Sequence, residues 1–138
     1  MHPVLRLYED VLASAEIELR LPPVPRFIFV VHGSAAIGEE TVREGEAWQG
    51  DTAVKIKPGA TGVTCWRWEL ARGDQGSTTA NAPGMVTHEK LTAFLETLPK
   101  GDLLMRGDSV AFPPGGCAYL HRHQGPGIRC LIEGGIRI

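Results

Sequence analysis

Thr64-Cys65-Trp66-Arg67-Trp68-Glu69-Leu70 is the stretch on which the fold turns. Successive side chains of an extended chain point to opposite faces, so Trp66, Trp68 and Leu70 share one face, and Cys65, Arg67 and Glu69 share the other. This strict alternation marks a strand rather than a helix. The two tryptophans are expected to pack in a core, to lie between two barrels, or to wall a ligand site. Arg67 and Glu69 are expected to pair on the opposite, solvated face, an interaction worth under ~1 kcal/mol.

Working outward, Ile17, Leu19 and Leu21 alternate with Glu18 and Arg20, and Pro22-Pro23 ends that strand. Residues 26–31 (RFIFVV) form an unbroken run of bulky apolar residues, the pattern of a buried strand. His32-Gly33-Ser34 and Lys57-Pro58-Gly59 read as turns, with short strands near residues 35–37, 41–42 and 53–57. Val4, Leu5, Tyr8, Val11 and Leu12 fall near helical spacing, so residues 4–12 read as a short helix or an irregular lead-in. Beyond the alternation, residues 73–86 are rich in Gly, Ser, Thr, Asn and Pro and read as a linker. Thr87 then caps a helix over residues 87–99, with Leu91, Phe94, Leu95 and Leu98 on one face and Pro99 at its end. Strands are expected near residues 103–105, 109–112, 117–123 and 128–133. The result is an all-β fold, an antiparallel sandwich or barrel with one connecting helix. Its units are residues 1–72, the linker 73–86, the helix 87–99 and a last module over 100–138.

Composition narrows the function. The chain has 138 residues, with 14 Lys and Arg against 16 Asp and Glu, a formal charge of −2. A length of this order suits one ordinary domain or two very small ones. The charge balance lacks the basic surplus that phosphate binding requires, so nucleic acid is not an expected partner. No apolar run approaches the ~20 residues that cross a bilayer, and no membrane partner is expected. The first dozen residues carry Arg6, Glu9 and Asp10 and do not resemble a signal peptide. Cys65, Cys117 and Cys130 are an odd number without metal-ligand spacing and fit reduced thiols in a cytoplasmic protein.

One constellation carries chemistry: Gly115, five residues, His121-Arg122-His123, three residues, Gly127, six residues, Gly134. On a strand, His121 and His123 project their imidazoles from the same face. Two neutral imidazoles are half of a site for Zn, Fe, Ni, Cu or Mn, and a solvated or hydrogen-bonded pair is the alternative.

These residues resemble the first motif of the cupin superfamily, which runs Gly, five residues, His-x-His, three or four residues, Glu, six residues, Gly. Gly115, His121, His123 and Gly134 fall on that pattern. Gly127 stands where the family places its Glu ligand, and the neighbouring Gln124 has an amide oxygen to offer in its stead. The family's second motif has only an echo at residues 43–48, where Trp48 replaces its histidine. The resemblance implies a double-stranded β-helix, or jelly-roll, barrel. Residues 1–72 correspond to a degenerate barrel or half-barrel, and residues 100–138 to the motif-one half of another. A truncated bicupin, a barrel with permuted halves and a half-barrel completed by a second chain all fit this order. The resemblance further implies a divalent metal (Fe, Mn, Ni, Cu or Zn) on His121 and His123 inside the barrel, and a small organic molecule bound or activated by it.

Arg129 shares parity with position 127. It faces either the cavity, where a guanidinium pairs with a substrate carboxylate, or solvent. Tyr119 shares parity with the histidines and lines the cavity or packs in its wall. Two readings of function stand: a metal-dependent dioxygenase, isomerase or lyase, and a non-catalytic small-molecule-binding or dimerising module with a vacant site. A homodimer is the expected assembly.

Overall fold

The structure is a computed structural model and describes residues 2–138. The alternation around Trp66 belongs to one long strand, β6 (Val54–Arg72), which is the spine of the molecule. The other strands are β1 (Pro3–Leu12), β2 (Leu19–Leu21), β3 (Arg26–Ile37), β4 (Glu40–Arg43), β5 (Ala47–Gly50), β7 (Asn81–Ala82) and β8 (Met85–Phe94). All pair antiparallel, in the order β4-β3-β6-β1-β8-β7, with β2 added to the first part of β6 and β5 to the first part of β3. The sheet does not close on itself. The fold is all-β as expected, and no helix occurs among the described residues.

The expected helices are corrected. Residues 4–12 form a strand because β1 sits between β6 and β8 and is buried on both faces, which gives apolar side chains at positions that mimic a helical spacing. The expected helix over 87–99 is replaced by β8, whose residues up to Phe94 pair with β1. A long antiparallel ladder outweighs the weak preference set by apolar spacing.

Two expected turns lie inside strands. Gly33 (φ 78°) sits where β3 shifts register against β6, and Gly62 (φ 81°) lies across from it. A methyl group on Gly33 would strike the Gly62 carbonyl, and one on Gly62 would come within 2.5 Å of the Leu12 carbonyl. These glycines let three backbones crowd together, so β3 and β6 bend jointly instead of ending. On the concave side of the bend lies the main core, with Leu12, Leu19, Ile28, Val30, Ile37, Ile56 and Val63 among its members.

Beyond Phe94 the chain has no regular secondary structure, so the strands expected at 103–105, 109–112, 117–123 and 128–133 are not formed. This segment crosses the convex face instead of adding to a sheet edge, and its backbone finds no ladder to join. Gly107 lies against the ring of Phe27, where a side chain would overlap it. Trp68 Nε1 donates to the Ile128 carbonyl at 3.1 Å. Trp68 meets Phe27 edge to face at 6.0 Å, so this aromatic pair is where the carboxy-terminal segment docks.

Candidate functional site

The most ordered chemistry lies on the concave face. Register places Arg67 between Ile28 and Tyr8, Cys65 between Val30 and Asp10, and Glu69 beside Arg26. The face read from sequence as solvated is therefore the buried one: Arg67, Arg26 and Asp10 are 0% exposed and Glu69 is 1% exposed. Arg67 forks onto Asp10, with Nε donating at 2.7 Å and Nη2 at 3.0 Å. Its Nη1 donates to Glu69 Oε1 at 2.6 Å, and its guanidinium lies 4.2 Å from the centre of the Tyr8 ring. Arg26 Nε also donates to Glu69 Oε1, at 3.1 Å, and its remaining nitrogens donate to the carbonyls of Thr52 and Pro22.

Two threonines complete the arrangement. Thr87 Oγ1 donates to Asp10 at 2.8 Å, and Thr78 Oγ1 donates to Glu69 Oε2 at 2.7 Å. Thr78 belongs to the stretch read as a linker, so part of that linker is pinned over the buried charges. Two guanidiniums and two carboxylates balance, and no buried side-chain nitrogen or oxygen among the described residues lacks a partner. Such satisfaction is the condition under which buried charge is tolerated. Burial works against the charged form of Arg67, but the hydrogen bonds and charges of Asp10 and Glu69 outweigh it and raise its pKa. Burial lowers that of Arg26 against the opposing pull of Glu69.

Cys65 adjoins this cluster. Burial, reinforced by the negative charge of Asp10, pushes its thiol up to about 12. As pH rises, the unfolded chain loses this proton first, so the contribution to stability is complete below the ordinary thiol pKa of ~8.5 and is lost as pH approaches about 12. Chemical denaturation between pH 7 and 11 should show a decline that is shallower in Cys65→Ala. A thiol reagent at pH 8 should modify exposed Cys117 readily and Cys65 only after unfolding.

Beside the cluster is a cleft of about 410 Å³, walled by Pro22, Pro23, Val24 and Ala71 and edged by Glu69, Ser77 and Thr78. Glu69 presents little free acceptor capacity to it, because both carboxylate oxygens already accept hydrogen bonds.

The histidine pair lies apart from this network, in the segment without strands. His121 and His123 converge even so: their Nε2 atoms are 3.2 Å apart and their ring centres 5.0 Å apart. His121 Nδ1 lies 2.7 Å from the Tyr119 carbonyl. A carbonyl only accepts, so this nitrogen carries the proton, Nε2 is left as a lone pair, and His123 Nε2–H donates to it across the 3.2 Å contact. The fit to a metal is testable on that distance. With metal–nitrogen bonds of ~2.0–2.1 Å, two neighbouring ligands stand about 2.8–3.0 Å apart on an octahedral ion and about 3.3–3.4 Å apart on a tetrahedral one. The observed 3.2 Å lies between these spacings, nearer the tetrahedral one. Among the described residues, no group of three or more His, Cys, Asp or Glu side chains is placed to hold a metal.

The other sequence-derived candidates stay on the surface. Gln124 and Arg129 are exposed, and the Tyr119 side chain is 88% exposed, touching the site only through its carbonyl. Cys130, two residues past Ile128, is half-buried near Lys90 and Glu9. Sequence reasoning missed Asp10, Arg26, Tyr8, Thr78 and Thr87 as one cluster. The available signal was the number of charged residues on strands otherwise built to be buried: Arg26 opens RFIFVV, Arg67 sits between Trp66 and Trp68, and Glu69 between Trp68 and Leu70. None of the family models, curated proteins or solved structures compared with this chain matches it.

Proposed function

We propose that this chain is a cupin-type β-structure that holds a divalent metal on His121 and His123 and binds a small organic molecule at that metal. The observation that carries the reading is the convergence of the two Nε2 atoms at 3.2 Å, with the Tyr119 carbonyl setting the tautomer of His121. The spacing of Gly115, His121, His123 and Gly134, which resembles the first cupin motif, supports it independently. A metal held there would supply Lewis acidity toward an oxygen-bearing ligand, with coordination positions left open to it. Exposed Arg122 and Arg129, close in sequence to the pair, add positive charge that favours a carboxylate on that ligand.

Isothermal titration of apo-protein with Zn²⁺ or Ni²⁺ tests the reading. One equivalent should bind, and His121→Ala and His123→Ala should each weaken binding at least tenfold. Unchanged binding in both variants would overturn the assignment.

A further inference from the structure

Residues 75–78 form a strap between β6 and β7 that is held by side chains instead of a ladder. Among the described residues, no backbone-to-backbone hydrogen bond involves residues 76–79. Arg6 Nη1 donates to the Gly76 carbonyl at 3.3 Å, and Ser77 Oγ donates to Glu89 at 3.0 Å. Thr78 is held through each of its polar groups. Its N–H donates to the Tyr8 hydroxyl at 3.3 Å, and its carbonyl accepts from Arg67 Nη2 at 3.3 Å. Its hydroxyl accepts from Arg67 Nη1 at 2.6 Å and donates to Glu69 Oε2 at 2.7 Å. The strap also lines the cleft of about 410 Å³, together with Pro22, Pro23, Val24 and Ala71. Val24 and Ala71 pack with Val4 in a small core, whereas Ser77 is exposed and Thr78 half-buried. The cleft therefore has an anchored apolar side and a lightly held polar one.

We infer that this cleft binds a small uncharged alcohol with an apolar body, whose hydroxyl takes the place of the Thr78 hydroxyl when the strap lifts. Lifting leaves Glu69 Oε2 without its hydroxyl donor, and an unmade bond at a buried carboxylate is costly. The group that restores both contacts must accept from Arg67 Nη1 and donate to Glu69 Oε2. A hydroxyl does both. A carboxylate has no proton for Glu69, and an ammonium has no lone pair for Arg67. The guanidiniums and carboxylates of the cluster already balance, which favours a neutral ligand. Pro22, Pro23, Val24 and Ala71 receive the apolar body, in a volume typical of small-molecule sites. The closed strap is an intramolecular competitor and weakens binding in proportion to the time it stays shut. The site shares no residue with the histidine pair, so the two readings stand or fall separately.

Titration of the ¹⁵N-labelled chain with cyclohexanol, cyclohexanecarboxylate and cyclohexylamine, followed by amide chemical shifts, tests it with one apolar body and three head groups. Cyclohexanol should shift the amides of Val24, Ala71, Ser77 and Thr78 saturably in the wild-type chain, and the two charged probes should not. Thr78→Ala removes the competing hydroxyl and should tighten cyclohexanol binding at least tenfold. Thr78→Ser keeps that hydroxyl and should bind like the wild type. The wild-type comparison of head groups decides the case even if Thr78→Ala fails to fold. Absence of saturable shifts with cyclohexanol, equal binding of either charged probe, or a folded Thr78→Ala that binds no more tightly than the wild type would each overturn the inference.

Discussion

Replacing Arg67 with methionine should destabilise the protein by roughly 3–5 kcal/mol, the cost of leaving buried carboxylates without their cation. Arg67 is the hub: it forks onto Asp10, shares Glu69 with Arg26, and donates to Thr78. Methionine fills much of the volume but supplies no donor, so Asp10 retains only Thr87 among these partners. Removing one member of a satisfied set costs more than the set contributes as a whole. In thermal unfolding the loss should appear as a fall of about 10 °C or more. Arg67→Lys should lie between, because an ammonium keeps the charge but not the two-pronged geometry. A fall of only a degree or two in Arg67→Met would mean the cluster is not the keystone of the concave face.

Gly33→Ala should be the second most damaging single change. A left-handed φ of 78° disfavours any residue with a side chain by ~1–2 kcal/mol, and here the added methyl also strikes the Gly62 carbonyl on the facing strand. Gly45 is the control: its φ is 82°, but a methyl there meets nothing within 4 Å. Gly45→Ala should therefore show the conformational penalty alone, and Gly33→Ala should exceed it by at least ~1–2 kcal/mol in urea denaturation. Equal losses would show that β3 and β6 can part without cost, and that their joint bend does not depend on close approach.

The strand around Trp66 was legible because period-two alternation is a local property, readable from seven residues. Which of its faces is buried was not. Charged residues are rarely buried without partners, and the partners of Arg67 lie on other strands: Asp10 is 57 residues away in sequence. The same non-locality hid β8. Leu91, Phe94 and Leu95 have helical spacing, and only the presence of β1 alongside makes the extended form better. Gly33 and Pro58 read as turns because glycine and proline punctuate chains, yet here they sit within bent strands whose neighbours follow the bend. The His121–His123 pair was legible as a pair. The strand expected to aim the imidazoles is absent, and a single carbonyl contact orients His121 instead.

Metal content measured by elemental analysis tests the paired imidazoles most directly, on untagged protein purified without chelators. Near one equivalent of Fe, Mn, Ni, Cu or Zn is expected in the wild-type chain, falling below a tenth of an equivalent when His121 and His123 are both replaced by alanine. A wild-type chain that takes up no metal even after reconstitution, or a double variant that holds as much as the wild type, would contradict the assignment.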